Sequence, residues 1–483
     1  MRKSIKKNYI YNVTYQVLTL ITPLITTPYV SRVLGAEGIG VYSFVSAVAA
    51  YFVLFAGLGT SSYGQREISY SQEDIEKRSI RFWETETISC ISSALVLMTY
   101  IVFALYQKEN RIIYLICAIN IATVMFDISW LFYGLEEFSK IVIRNIFFKA
   151  VNIAGIFIFV KTKEDLWKYV ALVVVLPLIS SISLWFMLPK YVTRVSFRKM
   201  NLKRCFKGIL ELFIPTVAIQ VYVMLDKVML GLITGDSAQN GYYEQTNKLV
   251  RMVLTLVTAL GTVMIPRIGH LFERKEFEEL KQLITKGFSF AFFMAIPAAF
   301  GLIGISDNLI PWFFGTEFCA MSRLMKILSL VLIAVGLNNV TGCQYLIPTR
   351  QQKIFTITVF CGMITNVILN LLLIPVLKSE GAAIASVVAE TVVLGTEMYA
   401  IRDFYKPKDI IIISKNYWIA AFIMLAILRI ENIYLKPSFP NTCIMIFSGI
   451  IVYAWVLRTL KDRFFKEYIL VCAKNFLLKG IKK

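Results

Sequence analysis

Apolar residues gather along this chain in windows of about twenty with few charges, the length at which an α-helix crosses the hydrocarbon core of a bilayer. The windows fall at 9–34, 39–62, 83–106, 111–133, 141–160 and 167–188, then at 206–232, 246–266, 284–305, 323–347, 355–377, 383–402, 413–432 and 441–460. Backbone groups in lipid must be satisfied within the segment, so the pattern predicts about fourteen membrane helices. The first window follows a basic stretch (Arg2, Lys3, Lys6, Lys7) but carries Pro23 and Pro28 and runs into the second without a small-residue cleavage pattern. It reads as a span, not a removable signal.

The pattern is also written twice. Leu58-Gly59-Thr60 and Leu260-Gly261-Thr262 each close an apolar segment that begins just after Gly40…Tyr42 or Gly241-Tyr242. Each of those follows a Pro-containing segment ending in Val33-Leu34-Gly35 or Met229-Leu230-Gly231. A second correspondence runs from Tyr133 to Asn152 and from Tyr345 to Asn366. A doubled half in so apolar a chain points to a transporter with two lobes around a path. Each half starts after an even number of spans, so the repeat is parallel, with a pseudo-two-fold axis along the membrane normal. The expected division is an N-lobe at 1–188, a basic linker at 189–207, a C-lobe at 208–402, and a final helix pair with a basic tail at 403–483.

Composition agrees with this class. The chain is 57% hydrophobic and 17% charged, with no polar stretch long enough for a separate soluble domain. Its net charge of +20 is not spread evenly. Lys and Arg crowd alternate loops, around 66–81, 190–207, 267–281 and 402–415, and both ends of the chain. The other loops are nearly bare, Lys161, Lys163 and Lys168 excepted. The basic side is the cytoplasmic side, which puts both termini there and leaves nucleic acid no part in explaining the charge.

The sequence has no Walker-type loop for nucleotide hydrolysis, and one histidine, His270, cannot build a metal site. No loop on the bare side exceeds about twenty residues, which disfavours a membrane glycosyltransferase or polymerase, whose catalytic acids usually sit on large loops. The eight cysteines lack CxxC spacing and read as small buried hydrophobes.

Ionisable residues inside spans are costly and face the protein interior or a hydrated path. Arg32, Asp226, Lys227, Lys248 and Arg251 form one such group toward the outer side, with Tyr242 beside it in the second Gly-Tyr pair. They either line a cationic cavity or snorkel to headgroups and fasten helices. Asp127 in the fourth span and Glu390 and Glu397 in the twelfth are either ion-coupling carboxylates or structural partners, Asp127 with Lys149 for example. Asn366 and Asn370, at i,i+4 spacing, suit hydrogen bonding between helices.

Four stretches in order then match a known family: Pro28-Tyr29-Val30-Ser31-Arg32-Val33-Leu34-Gly35; Asp127 through Glu136 with Arg144-Asn145; Leu225-Asp226-Lys227 followed by Gly241-Tyr242-Tyr243, Lys248 and Pro266-Arg267; and Tyr345-Leu346-Ile347-Pro348 with Asn366, Asn370, Gly381 and Glu390. From about residue 8 to 400 the chain resembles the polysaccharide and lipid-linked oligosaccharide flippases (Wzx type) of the multidrug/oligosaccharidyl-lipid/polysaccharide exporter superfamily.

The resemblance implies two six-helix lobes plus a C-terminal pair. It also implies that the protein is not an enzyme and that it moves undecaprenyl-diphosphate-linked oligosaccharide from the inner to the outer leaflet of a bacterial cytoplasmic membrane by alternating access. On that reading Arg32, Lys227, Lys248, Arg251 and Tyr242 bind substrate, and Asp127, Asp226 and Glu390 are the candidates for proton or sodium coupling, with no other cofactor. The expected partners are the substrate and membrane lipid, with the polysaccharide polymerase and glycosyltransferases as further candidates and a monomer as the expected state. The competing reading within the superfamily is a cation-coupled multidrug antiporter, which usually calls for twelve spans and an acidic or aromatic pocket.

Overall fold

The computed structural model describes residues 5–259 and 261–470. Among these it is helical throughout, and the chain divides into two compact units, the first ending at Gly241 and the second starting at Tyr242. Ten helical stretches among the described residues are long and apolar enough to cross a membrane. The two longest, Leu18–Tyr70 and Gln352–Ala400, contain non-helical backbone at Gly35 and Lys378.

The first unit holds α1 (Ile5–Gly57), α2 (Thr60–Tyr70), α3 (Ile75–Tyr106), α4 (Arg111–Phe126), α5 (Ser129–Gly134), α6 (Phe138–Phe159), α7 (Leu166–Trp185), α8 (Leu202–Thr234) and the first turn of α9 (Ser237–Thr258). α1 breaks at Gly35, whose φ of 69° is open to glycine at little cost. Before the break α1 packs on α6, where the Tyr29 hydroxyl donates to the Val160 carbonyl (2.6 Å) and the Tyr29 and Phe157 rings meet at 4.6 Å. After it α1 packs on α3, through Phe52 against Tyr100 (4.9 Å) and the Ser92 hydroxyl on the Ala56 carbonyl (2.7 Å). Val45, Ala49, Tyr100, Cys117, Ile121, Val170 and Val174 close the core between α1, α3, α4 and α7. α1 ends on two consecutive left-handed residues, Leu58 and Gly59, ahead of Thr60. In the second copy of this motif Leu260 lies outside the described residues, as do the side chains of Thr262 and Pro215.

Gly35 (φ 69°, ψ 178°) breaks α1 between its two limbs, whereas Gly235 (φ 61°, ψ 3°) ends α8 in a left-handed cap, its N–H donating to the Gly231 carbonyl (3.0 Å). Gly231 lies inside α8, where a Cβ would come within 2.3 Å of the Phe44 ring.

The two repeat glycines meet each other. A Cβ on Gly40 would lie 1.6 Å from the Ser237 carbonyl oxygen and 3.0 Å from the Gly241 nitrogen; one on Gly241 would lie 2.0 Å from the Ala36 carbonyl oxygen. Ala36-xxx-Gly40 and Ser237-xxx-Gly241 thus form a small-residue crossing at which the backbones touch.

A second cluster surrounds α5: Trp130 stacks on Phe82 (5.3 Å), and Ile68, Leu131, Phe132 and Leu184 close around them. The basic stretch 189–207 is docked on α3. The buried Glu84 carboxylate accepts from the Asn201 backbone N–H (2.7 Å), Arg204 (3.1 Å) and Arg81 (2.9 Å). Arg78 donates to the Tyr191 and Gln72 carbonyls at 2.9 and 2.8 Å. Asp74 caps α3 by accepting from the Lys77 N–H (3.0 Å), and that bond holds its carboxyl below the usual range.

The second unit holds the rest of α9, α10 (Gly261–Glu273), α11 (Phe277–Phe313), α12 (Met321–Leu328), α13 (Val331–Asn338), a π-helical segment (Asn339–Leu346), α14 (Gln352–Ala400), α15 (Pro407–Tyr434) and α16 (Phe439–Thr459). α14 folds back on itself at Lys378 (φ 51°). Its limbs approach at Gly381, beside Leu373, and at Gly362, where a Cβ would come within 2.3 Å of Val393. α15 and α16 pack on α11: Asn308 donates to the Leu435 carbonyl (3.0 Å) and accepts from Thr442 (2.6 Å), while Asn432 donates to the Gly304 carbonyl (2.6 Å).

Candidate functional site

The sequence of α6 places Arg144, Asn145, Phe148, Lys149 and Asn152 on one helix face. Ile143, Phe147 and Ile158 occupy the opposite face and are 57%, 61% and 61% exposed, as lipid-facing residues should be. The polar face looks into a cavity of about 370 Å³ inside the first unit, which Thr22 of α1, Thr123 and Asp127 at the end of α4, and Ser180 and Ser181 of α7 complete.

Local sequence explains how the cavity is held open. The fourth apolar window is not one helix: α4 stops at Phe126 and α5 restarts at Ser129, with the Asp127 carboxylate accepting from the Ser129 N–H (3.0 Å). The Trp185 indole covers the broken end by donating to the Phe126 carbonyl (2.9 Å). Arg144 is aimed by the Asn145 side-chain oxygen (2.7 and 3.1 Å) and the Ser180 carbonyl (3.3 Å). Lys149 donates to the Thr19 hydroxyl (2.9 Å), and Asn152 to the Leu172 carbonyl (3.1 Å). Two cations and one carboxylate therefore face a cavity within membrane helices whose remaining lining is partly apolar, with Phe148, Leu176 and Pro177, an arrangement that favours an anion carrying apolar surface.

The structure places the other expected residues as follows. Arg32, exposed, and Asp226 and Lys227, half-buried, belong to the first unit. Tyr242, Lys248 and Arg251 belong to the second. There the Lys248 ammonium pairs with Glu244 (3.4 Å), Arg251 is held by the Asn247 side-chain oxygen (3.1 Å), and the Tyr242 hydroxyl donates to the Glu317 carbonyl (3.2 Å). Glu390 accepts from the Asn338 amide (2.9 Å). Asn366 and Asn370 are fully buried, and the Asn370 amide donates to the Asn366 oxygen (3.0 Å) within one limb of α14.

Glu86 and Glu397 are carboxylates buried inside apolar helices, and of the two only Glu397 stands out in the sequence. Glu86 lies inside α3, 2% exposed, with the Cys90 thiol directed at it (3.8 Å) and Asp127 as a charged neighbour. Glu397, one helix face with Glu390, is fully buried and receives the hydroxyls of Thr341 and Thr358. The π-helical turn at 339–346 and the missing side chain of Gly342, whose Cβ would lie 2.6 Å from Glu397 Oε1, make that room. Among the described residues no group of three or more His, Cys, Asp or Glu is placed to hold a metal ion.

Residues 5–272, more than half of the chain, match the family described as polysaccharide biosynthesis protein. The chain belongs to that family. A curated relative, "Putative O-antigen transporter" of Escherichia coli (strain K12), is 24% identical over 83% of this chain and 97% of its own length. Another, "Probable low-salt glycan biosynthesis flippase Agl15" of Haloferax volcanii, is 22% identical over 51% of this chain and 53% of its own. Among solved structures, "Lipid II flippase MurJ, inward closed conformation" superposes with a TM-score of 0.75 at 16% identity, over 96% of this chain and 99% of that one. An inward-facing MATE family transporter of the MOP superfamily superposes with a TM-score of 0.62 at 12% identity, over 82% and 96%. The family member thus has the all-helical fold of these flippase and MATE transporter structures, as the four matching stretches led us to expect.

Proposed function

We propose that this polysaccharide biosynthesis protein is a flippase that moves an undecaprenyl-diphosphate-linked oligosaccharide from the inner to the outer leaflet of a bacterial cytoplasmic membrane by alternating access. The observation that carries the reading is the cavity of the first unit, which Arg144 and Lys149 line inside membrane helices. A sugar head cannot cross hydrocarbon, because burying unpaired hydroxyls is costly, and a hydrated cavity removes that cost. A diphosphate is met by guanidinium and ammonium groups. Its outward passage is favoured by an inside-negative potential, at about 2.3 kcal/mol per charge per 100 mV.

In this reading the chain has fourteen spans, the ten apolar stretches being supplemented by the two breaks and by α8 and α9–α10, with both termini cytoplasmic and a monomer as the working unit. Arg32, Lys227, Lys248, Arg251 and Tyr242 join the substrate path, and Asp127, Asp226 and Glu390 are the candidates for ion coupling. The names of the relatives, an O-antigen transporter and glycan flippases, support the substrate class.

The reading is tested by deleting the gene and complementing the strain. Loss of surface polysaccharide with build-up of its lipid-linked precursor, restored by the wild-type gene, is the expected result. Intact polymer export with heightened drug sensitivity would transfer the protein to the antiporters.

A further inference from the structure

The basic stretch between α7 and α8 carries more charge than its docking uses. Arg204 and Lys199 are spent on the first unit itself, on Glu84 (3.1 Å) and Glu76 (2.6 Å). Arg194, Arg198, Lys203 and Lys207 are exposed, and among the described residues none of these four side chains has an ion-pair or hydrogen-bond partner. None of them belongs to the substrate path proposed above.

The stretch is a built platform, not a loose loop. The Ser79 hydroxyl accepts from the Thr193 N–H (2.9 Å) and the Trp83 indole donates to the Thr193 carbonyl (3.0 Å), which fixes the backbone directly before Arg194. The Asn201 N–H on Glu84 (2.7 Å) pins the other side of a short 3₁₀ turn, Phe197–Lys199. Where α8 begins, Cys205 and Ile209 are buried with Tyr63 and Ile88. Helical spacing then turns Lys203 and Lys207, with Phe206 beside them, to the exposed side. The backbone that carries the cations is thus ordered before any ligand arrives, which lowers the entropy cost of binding.

Three aromatic side chains sit among these cations. Phe186 at the end of α7, Phe197 in the turn and Phe206 in α8 are 83%, 73% and 45% exposed. They lie where one membrane helix ends and the next begins, at the depth of lipid headgroups. Interfacial segments join these two chemistries, basic groups at the headgroups and apolar rings at the acyl boundary. An acidic soluble protein would answer the cations, but Phe186 and Phe206 flank the apolar lengths of α7 and α8, where lipid is the neighbour.

We propose that residues 186–207 form an anionic-lipid platform. Arg194, Arg198, Lys203 and Lys207 hold the phosphate headgroups of acidic phospholipids in the adjoining leaflet, and Phe186, Phe197 and Phe206 enter its acyl boundary. Basic groups next to membrane helices attract such headgroups, each adding to the affinity.

The test uses the full-length protein in detergent micelles titrated with phosphatidylglycerol or phosphatidylcholine, reading the lipid retained in native mass spectrometry and the thermal unfolding midpoint. Phosphatidylglycerol is expected to be retained in preference and to raise the midpoint. The R194Q/R198Q/K203Q/K207Q variant is expected to bind it at least about ten-fold more weakly. The K406Q/K408Q/K415Q/K466Q variant removes equal charge from exposed positions of the second unit and is expected to bind like wild type. The F197S/F206S variant keeps every charge and is expected to lose part of the lipid-induced shift, as a surface that only collects anions would not. Arg198→Gln alone, one exposed change, gives an intermediate loss and serves if the quadruple variant does not fold. Wild-type retention by the quadruple platform variant, equal loss in the second-unit control, or an unchanged shift in F197S/F206S would each overturn the proposal. The same stabilisation by polyglutamate would also overturn it, in favour of an acidic protein partner.

Discussion

Gly40→Ala is expected to cost the protein its α1–α9 crossing and most of its export. The added Cβ would sit 1.6 Å from the Ser237 carbonyl oxygen, a backbone atom that no rotamer change can move aside. Relief requires the helices to part, and overpacking of this kind costs about 1–3 kcal/mol or more. Gly241→Ala, 2.0 Å from the Ala36 carbonyl oxygen, should behave the same way. Gly301→Ala and Gly395→Ala are the controls: nothing lies within 4 Å of either Cβ, and alanine in a helix is favoured over glycine by roughly 0.5–1 kcal/mol. Thermal unfolding of the purified variants and surface polysaccharide in the complemented strain check both halves. Wild-type melting and export in Gly40→Ala would mean that the crossing is not closed in the working protein. If instead the variant melts lower but exports normally, the contact is structural and its opening does not limit transport.

The two glycines were legible as a repeat long before they were legible as a contact. The spacing of Gly-Tyr and Leu-Gly-Thr motifs reports that a hairpin was copied, because period and composition survive in one dimension. That the copies touch depends on where the chain returns, which spacing does not encode. Gly231 and Gly235 likewise show the same letter for different reasons, one making room for Phe44 and the other capping α8 in the left-handed conformation.

Charges inside apolar windows were the strongest site signal, since each must have a physical reason to be there. Asp127, Arg144 and Lys149 were all visible this way, but their arrangement was not. A direct Asp127–Lys149 pair is the simple structural alternative; the Asp127 carboxylate instead accepts from the Ser129 N–H, and Lys149 reaches Thr19 on α1. The break in the fourth window is not legible because Asp127-Ile128-Ser129 contains neither Gly nor Pro, and a local side-chain-to-backbone bond replaces the usual breaker. The docking of the basic linker 189–207 is not legible because Glu84, its anchor, is distant in sequence.

The second large effect concerns the cavity itself. Replacing both Arg144 and Lys149 with glutamine should lower export by about ten-fold or more while the protein still reaches the membrane. Each charge-assisted hydrogen bond to a phosphate contributes about 1.5–3 kcal/mol in such a setting. Glutamine keeps a polar side chain toward Asn145, Ser180 and Thr19, so the helices retain partners while the charge goes. Arg144→Lys separates charge from shape: an ammonium cannot span the Asn145 oxygen and the Ser180 carbonyl as the guanidinium does. It should therefore fall between wild type and Arg144→Gln. Asp127→Asn makes the cavity more positive and removes the carboxylate that accepts from the Ser129 N–H, although the amide oxygen can still accept that bond. Its export should suffer less than that of the double glutamine variant if anion binding is what the cavity does, and more if Asp127 carries the coupling ion. Measuring the four variants beside each other, with membrane levels checked by immunoblot, distinguishes a phosphate cradle from an ion-coupling site. Normal export in Arg144→Gln/Lys149→Gln would remove the first unit's cavity from the substrate path and leave Arg32, Lys227, Lys248 and Arg251 as the remaining cationic candidates.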